Sequence, residues 1–371
     1  HDLYLIDAAS GEEHVLADDG SEESAYRGRF WWSPDSTRLV VLQVEPGEGR
    51  QIHMVESSPD DQLQPRLRTH TYAKPGDRVD HPRPRLFDLS TLASVPVPDD
   101  LFPDPWSLTG VRWEADSSAF RFLYNQRGHQ VLRLVEVDAA TGATRALIDE
   151  VSPTFVDYAH KRFLHRVPGG DELIWMSERS GWNHLYRIDG ATGEVLNAIT
   201  SGEWVVRGVE RVDDESRQVW FTAGGIVPGQ DPYYLHLCRV DFDGSGLTVL
   251  TEGDGTHTWD LSPDGRYLLD TWSRVDLPPV TVLRSAADGA LICELERADW
   301  AALLETGWQP AQRFVAKGRD GATDIHGILV FPTQMEAGRS YPVVEQIYAG
   351  PQGAFVPKAF TRHAGLSRLA E

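Results

Sequence analysis

A pattern that returns about every 50 residues constrains the fold of this chain more than any other feature. Strand-like runs end at Asp88, Asp138, Asp189 and Asp241, at intervals of 50, 51 and 52 residues. Most of these runs lead into a short polar turn with a late glycine, which suits the left-handed position of a type I turn with a bulge. A period of this length holds about four short strands and is typical of a β-propeller blade. It predicts about five whole blades between residues 26 and 295, with a fragment of another before them.

A second signature marks the turn that precedes a strand. Residues 32–36 read WSPDS and residues 261–265 read LSPDG. Proline sets φ at the second turn position, while the Asp and Ser side chains bond the nearby backbone. Both runs therefore predict hairpin turns. Residues 45–85 are more than the period needs, and we expect them to carry an insertion or an extended arm.

The composition favours an all-β protein and excludes some partners. Twelve Trp occur together with 33 Gly and 23 Pro, a combination typical of many short strands and turns. The formal net charge of −21 disfavours nucleic acid and polybasic contact with a membrane, because phosphate would be repelled. No apolar run approaches the ~20 residues of a membrane span.

Histidine and cysteine usage points to no metal or cofactor. The 13 His form no H-E-x-x-H motif and no cluster with metal spacing. We expect His184 and His257 to be turn or blade-packing residues rather than ligands. For Cys238 and Cys293 we expect two buried thiols, with a single disulfide as the alternative. Neither interpretation identifies the cellular compartment.

The pattern changes after residue 295. Residues 294–307 place apolar side chains at helical spacing and end on a glycine, so they predict a helix. Residues 313–317 and 325–331 flank a glycine-containing turn and predict an antiparallel hairpin. Residues 341–351, YPVVEQIYAGP, predict an apolar strand of a buried α/β sheet that Gly-Pro stops.

These patterns divide the chain into three parts. We expect propeller blades over residues 1–296, a linker helix over residues 297–308, and the truncated start of a second domain over residues 309–371. The predicted fold class is mainly β.

Four sequence runs occur in matching order in a known family. They are WWSPD at 31–35, SERSGWNHLY at 177–186, GEWVVRGV at 202–209 and YPVVEQIYAGP at 341–351. With these runs the chain resembles the dipeptidyl peptidase IV branch of the prolyl oligopeptidase family over nearly its whole length. The resemblance implies an eight-bladed β-propeller, with its N-terminal blades missing here, followed by an α/β-hydrolase domain with a Ser-Asp-His triad. It also implies peptide substrates, cleavage of N-terminal dipeptides after Pro or Ala, and in many members a homodimer.

The triad that the resemblance implies is not found in these residues. A serine hydrolase of this fold carries its nucleophile in a G-x-S-x-G elbow, followed by Asp and then His. The chain contains no such motif, and the family's triad positions fall after residue 371. We therefore expect the 371 residues alone to be inactive.

The resemblance implies one catalytic accessory, Tyr348. In the family, the tyrosine of the Tyr-Ala-Gly-Pro element donates its hydroxyl to the oxyanion of the tetrahedral intermediate. A preorganised donor aimed at developing negative charge can be worth about 2.7–4 kcal/mol. The alternative is a tyrosine that caps a buried strand and bonds the backbone.

Glu22 and Glu23 are the candidate substrate-binding residues. In dipeptidyl peptidases a paired Glu motif in the propeller holds the α-ammonium of the substrate, by charge pairing in a cavity of low dielectric constant. The Trp31–Trp32 pair before Ser-Pro matches the family pattern, but the Asp-Trp that precedes its acidic run is missing here. The alternative is a solvated acidic turn, which would leave room for another exopeptidase, oligopeptidase or acylaminoacyl-type specificity.

A second class of function also stays open. The chain could be a non-catalytic propeller that serves as a protein-interaction module and recruits a partner to its acidic surface. A propeller of that kind has no need of a hydrolase start, so the residues after 309 favour the peptidase.

Overall fold

The chain is almost entirely β-sheet, as the repeat predicts. The computed structural model describes residues 1–169, 171–348 and 354–361. They form two compact units, one over residues 1–158 and one from residue 159 onward. Within the described residues there are five four-stranded sheets and three two-stranded sheets. Each four-stranded sheet is an antiparallel meander, which is the strand order of a propeller blade.

The first unit contains one two-stranded sheet and two four-stranded sheets, with a hairpin inserted in the first of these. Strands β1–β2 pair with each other, β3-β4-β7-β8 and β9-β10-β11-β12 form the larger sheets, and β5–β6 form the inserted hairpin. This hairpin lies within residues 45–85, where the repeat predicts an insertion. The strands are β1 (Leu3–Ile6), β2 (Glu13–Ala17), β3 (Ala25–Trp32), β4 (Arg38–Glu45), β5 (Gln51–Glu56), β6 (Arg66–Thr71), β7 (His81–Asp88), β8 (Ala93–Val95), β9 (Pro105–Trp113), β10 (Ala119–Gln126), β11 (Val131–Asp138) and β12 (Thr144–Val151).

The second unit contains three four-stranded sheets, a short helix and a hairpin. The sheets are β13-β14-β15-β16, β17-β18-β19-β20 and β21-β22-β23-β24, and β25–β26 form the hairpin. The elements are β13 (Leu164–Arg166), β14 (Glu172–Ser177), β15 (His184–Asp189), β16 (Val195–Ala198), β17 (Val205–Asp213), β18 (Gln218–Gly224), β19 (Leu235–Asp241), β20 (Thr248–Val249), β21 (Thr256–Leu261), β22 (Tyr267–Arg274), β23 (Leu277–Ser285), β24 (Leu291–Arg297), α1 (Ala301–Glu305), β25 (Gln312–Lys317) and β26 (Asp324–Leu329).

The core of each unit lies between successive sheets. In the first unit, Val40 and Leu86 of one four-stranded sheet pack with Phe120 and Phe122 of the next. Strand β10 is buried along nearly its whole length, because a middle strand of a packed sheet is covered on both faces. The second unit repeats this arrangement. Its buried sets are Ile174, Leu185, Val219, Phe221 and Val240 between the first two sheets, and Trp220, Leu237, Leu268 and Ala286 between the last two.

The predicted aspartate turns form as the local chemistry requires. Asp138 Oδ1 accepts hydrogen bonds from the Thr141 backbone N–H and hydroxyl, both at 2.7 Å. The hydroxyl bond contributes most to lowering the pKa of the Asp138 carboxyl. Gly142, at φ 74°, closes the turn by donating its N–H to the Asp138 carbonyl at 2.9 Å. A residue with a Cβ would be strained at that φ, so the late glycine of the repeat has a backbone cause.

Buried histidines pack inside the second unit, as the sequence predicts for His184 and His257. His184 Nδ1 lies 3.0 Å from Thr200 Oγ1, and Nε2 lies 2.9 Å from the Gly202 carbonyl. The next sheet repeats the pair, with His236 Nδ1 3.2 Å from Thr251 Oγ1. In both sheets the Thr hydroxyl also accepts a hydrogen bond from a backbone N–H of the third strand. The His–Thr pair therefore ties the third strand of the sheet to the chain after its fourth.

His236 makes the stability of the second unit depend on pH. Burial, followed by the neighbouring His257, lowers its pKa from 6.5 to about 4. Between these pH values His236 is protonated in the unfolded chain but neutral in the folded one. The free energy of unfolding therefore falls as the pH drops from 6.5 to 4, and the contribution of His236 is complete above pH 6.5. Over that range we expect a loss of about 3 kcal/mol. Urea unfolding of the wild type and of His236→Gln at pH 7 and pH 4.5 measures it. A pH dependence in the variant that equals or exceeds that of the wild type would contradict this assignment.

The structure corrects the prediction of a helix over residues 294–307. Helix α1 spans only Ala301–Glu305, while Leu295 belongs to strand β24. Thr281 and Val282 of β23 pair with Glu296 and Glu294 of β24, so backbone bonds to a neighbouring strand override the helical spacing of the apolar residues.

The two cysteines are both free, so no disulfide forms. The expectation of a buried thiol is confirmed for Cys238, where burial raises the pKa. It is wrong for Cys293, which is exposed. Cys293 lies on β24, the outermost strand of its sheet, and all residues of this strand are exposed.

The hairpin predicted after residue 309 is confirmed, but the prediction of a strand that begins at residue 341 is wrong. Strands β25 and β26 pair from Gln312↔Leu329 to Lys317↔Asp324. Residues 341–348 have no regular secondary structure, and Val343 is 86% exposed. A strand that is buried on both faces needs paired neighbours, and within the described residues none lies beside this segment. Ala349, Gly350 and Pro351, the end of the predicted strand, lie outside the described residues.

Candidate functional site

Glu22 and Glu23 lie at the tip of a tight turn between β2 and β3. Ser21 and Ser24 exchange backbone hydrogen bonds across this turn, at 2.9 and 3.3 Å. The Ser21 hydroxyl accepts the N–H groups of Glu23 and Ser24, at 3.2 and 3.1 Å. Closing the turn in this way leaves both Glu side chains exposed. The two glutamates are therefore adjacent in an ordered turn, and their side chains remain accessible.

A network that sequence reasoning missed anchors the loop carrying these glutamates. The Tyr26 hydroxyl donates to Asp19 Oδ1 at 2.7 Å, and Arg85 Nη1 lies 3.2 Å from Asp19 Oδ2. The hydrogen bond from Tyr26 is the main reason that the pKa of Asp19 is lowered. Burial, followed by the bond to Asp19, raises the pKa of Tyr26.

The anchor joins distant parts of the chain. Arg85 lies on β7, 66 positions after Asp19, and its guanidinium stands 5.9 Å from the centre of the Tyr26 ring. The N-terminal residues add to it, because the Gly20 N–H donates to Asp2 Oδ1 at 3.0 Å. No local motif signals these contacts, since the insertion of β5–β6 separates the partners in sequence.

The loop can offer two acceptors to a cationic group. Within the described residues neither Glu22 nor Glu23 makes an ion pair, so both carboxylates keep their capacity to accept hydrogen bonds from an ammonium group. Both are exposed in the first unit, where a single pair of charges at about 4 Å gains only about 1 kcal/mol in bulk water. Strong selection of an ammonium group would therefore need further exclusion of water.

Tyr348 belongs to the second unit and is 70% exposed. It ends the irregular segment 341–348, and its ring centroid lies 6.1 Å from that of Phe355. The alternative of a tyrosine capping a buried strand is wrong, because the strand does not form and the side chain is open to solvent. An exposed hydroxyl on a phenol ring is a hydrogen-bond donor that an incoming group can reach.

Within residues 1–169, 171–348 and 354–361, no group of three or more His, Cys, Asp or Glu side chains could hold a metal ion. In the same ranges, no helix has the length and apolar character needed to cross a membrane.

Comparison with known proteins places this geometry in context. Residues 1–279 match the family described as the dipeptidyl peptidase IV (DPP IV) N-terminal region. The chain is similar to proteins named "Probable dipeptidyl-aminopeptidase B" from Tuber melanosporum (24% identical, over 92% of this chain and 40% of the relative) and Aspergillus terreus (26% identical, over 89% and 38%). This chain thus spans about two fifths of the length of these curated relatives.

Solved structures show the same fold. The chain is similar to Porphyromonas gingivalis dipeptidyl peptidase 4, with a TM-score of 0.69 and 21% identity over 97% of this chain and 52% of that one. It is also similar to a putative dipeptidyl aminopeptidase IV from Bacteroides ovatus, with a TM-score of 0.66 and 19% identity over 97% and 55%. The predicted mainly β fold of propeller type is thereby confirmed. The family match covers most of the chain, and the chain therefore belongs to the dipeptidyl peptidase IV N-terminal region family.

Proposed function

We propose that this chain is the propeller portion of a serine exopeptidase of the dipeptidyl peptidase IV type. In this proposal it roofs and gates the active site and binds the N-terminus of the peptide substrate. The whole protein cleaves N-terminal dipeptides, with preference for Pro or Ala before the cleaved bond. The observation that carries the proposal is the family match over residues 1–279, together with relatives that bear dipeptidyl-aminopeptidase names.

The residues present in this chain decide which parts of the reaction the proposal assigns to it. The chain contains no G-x-S-x-G elbow, so in the proposal the nucleophile comes from a hydrolase domain for which residues 309–371 are the start. This chain contributes binding and electrostatics. Glu22 and Glu23 hold the α-ammonium of the substrate, and Tyr348 donates to the oxyanion of the tetrahedral intermediate, where preorganised donors are most effective.

Hydrolysis of proline dipeptide substrates by the full-length protein tests the proposal. Fluorogenic Gly-Pro and Ala-Pro substrates should be cleaved, and a serine-directed covalent inhibitor should abolish the cleavage. N-acetylated versions of the same substrates should resist it. Cleavage of the acetylated substrates would replace the proposal with an acylaminoacyl-type specificity, and no cleavage at all would favour a non-catalytic interaction module.

Neutralising the two glutamates should weaken substrates that have a free amine. Charge-assisted hydrogen bonds are worth about 1.5–3 kcal/mol, so we expect Glu22→Gln combined with Glu23→Gln to lower kcat/KM by about tenfold to 150-fold. Glu12→Gln combined with Glu13→Gln is a matched control, because it neutralises another adjacent, exposed pair in the same unit. Equal losses in the two double variants would show that only overall charge matters.

We propose that the full-length protein forms a homodimer, with the β5–β6 hairpin contributing to the contact. This hairpin exposes a set of large apolar side chains in an otherwise acidic chain, and a surface of that kind is typical of a protein interface. Sedimentation of the full-length protein measures its oligomeric state. The exposed side chains are Met54, Val55, Leu63 and Leu67.

A further inference from the structure

A partly buried ion pair ties residues 354–361 to the rest of the second unit. Lys358 Nζ lies 2.7 Å from Asp231 Oδ2, and the two side chains are only 14% and 9% exposed. Asp231 lies in the loop between β18 and β19, 127 positions earlier in the chain. Losing one partner of such a pair is costly, because the other charge is then left largely withdrawn from water.

Two aromatic rings surround this ion pair. The centre of the Tyr233 ring lies 4.8 Å from Lys358 Nζ, which is a cation–π distance. The same ring meets the His326 ring of β26 edge to face, with the centroids 6.0 Å apart, and His326 Nδ1 lies 3.6 Å from Asp231 Oδ2. The β18–β19 loop, the β25–β26 hairpin and the segment after residue 354 therefore meet at one carboxylate.

Phe360 provides a second anchor for the same segment. Its backbone N–H donates to Ser273 Oγ of β22 at 3.1 Å. Its ring centroid lies 5.8 Å from that of Trp300 and 6.0 Å from that of Trp308. Lys358 and Phe360 therefore hold residues 354–361 at two points.

Tyr348 contacts this anchored segment through Phe355. The two ring centroids are 6.1 Å apart, and Phe355 precedes Lys358 by three residues. We propose that the Lys358–Asp231 pair, here named the latch, is a positioning device for the Tyr348 hydroxyl and acts through the Phe355 ring. The proposal rests on the proposed function, in which that hydroxyl donates to the oxyanion.

The expected effect of the latch follows from how sharply oxyanion donors depend on position. Removing one such donor costs about 10²–10³ in kcat, and a misplacement of about 1 Å can cost about 10²-fold. Lys358→Met removes the charge while keeping an unbranched side chain. In the full-length protein we expect it to lower kcat about 10-fold to 10²-fold and to change KM by less than about twofold.

A double-mutant cycle in the full-length protein separates positioning from general destabilisation. Kinetics are measured for Lys358→Met, Tyr348→Phe and the double variant, with unfolding followed in parallel. If the latch acts through Tyr348, Lys358→Met should cost almost nothing once the hydroxyl is gone, and Lys358→Arg, which keeps the charge, should restore most of kcat. The control is Lys317→Met, which removes an exposed ion pair with Asp324 within the β25–β26 hairpin. It should leave kcat unchanged. An equal loss from Lys358→Met in both backgrounds would overturn the proposal.

A measurement on the 371-residue chain tests the latch without catalysis. 3-Fluorotyrosine at position 348 reports the surroundings of that ring by ¹⁹F NMR. Lys358→Met should shift or narrow its resonance, and Lys317→Met should leave it in place. An unchanged resonance in Lys358→Met overturns the latch. A Tyr348→Phe variant with full kcat overturns the oxyanion role instead, so the two failures can be told apart.

Discussion

Replacing Tyr348 with Phe in the full-length protein is expected to lower kcat by about 10²–10³-fold and to leave KM nearly unchanged. The substitution removes one hydroxyl and keeps the ring, so the contact with Phe355 survives. An oxyanion develops only in the transition state, and a donor to it contributes to kcat rather than to ground-state binding. Steady-state kinetics with a Gly-Pro fluorogenic substrate measures the effect.

Tyr341→Phe is the matched control for this experiment. Tyr341 lies in the same segment, and its hydroxyl accepts the Glu336 backbone N–H at 2.8 Å, so it has a local structural task and no assigned catalytic one. We expect its kcat to stay within about twofold of the wild type. Comparable losses in the two variants, or a rise in KM alone for Tyr348→Phe, would remove Tyr348 from the catalytic machinery.

The second large effect is expected on stability, at a buried charge network in the last four-stranded sheet. Asp270 of β22 is fully buried and lies between His257 Nδ1 at 2.7 Å and Arg284 Nε at 2.9 Å. Asp270→Ala removes the buried counter-charge of the Arg284 guanidinium and leaves it only the exposed Glu252 carboxylate, 3.6 Å from Nη1. Breaking a buried pair in this way destabilises a protein by about 3–5 kcal/mol. Urea unfolding followed by Trp fluorescence measures the change.

An exposed ion pair on the same sheet provides the control for this experiment. Glu294 pairs with Arg297 of β24 at 2.8 Å, with both side chains about half exposed. Exposed pairs contribute about 0–1 kcal/mol, so Glu294→Ala should barely change the unfolding midpoint. If Asp270→Ala is too unfolded for a urea titration, Asp270→Asn replaces it in the experiment, because this substitution keeps the shape of the side chain and removes only the charge. A loss in either Asp270 variant no larger than that of Glu294→Ala would show that Arg284 relies on its carbonyl partners, Gly289 and Glu252.

The features that were predicted correctly depend on contacts between residues close in sequence. The Asp138 turn closes with partners three and four positions away. The β25–β26 hairpin pairs strands joined by a six-residue connection, from Lys317 to Asp324. The 50-residue period also reflects contacts between neighbours in sequence, because four of the five four-stranded sheets within the described residues are built from consecutive strands. Sequence patterns report such contacts directly, and the β-propeller fold could be predicted from them.

The features that were missed depend on partners that sequence distance conceals. Leu295 lies in β24 because β23 offers backbone bonds to that segment, which outweigh a helical spacing of apolar residues. Cys293 is exposed because its strand is the outermost of its sheet. The run at residues 341–348 has strand-like composition, yet no strand forms there without paired neighbours to satisfy its backbone.

The candidate site likewise has features that the sequence predicts and features that only the structure shows. The amino-acid sequence alone determined the repeating sheets, the turn that carries Glu22 and Glu23, and the motif that contains Tyr348, since each depends on residue types at short spacing. Tertiary structure alone decided that Arg85 braces Asp19 across 66 positions and that Lys358 reaches Asp231 across 127. The physical reason is that an ion pair depends on distance through space, which chain folding sets and sequence separation does not.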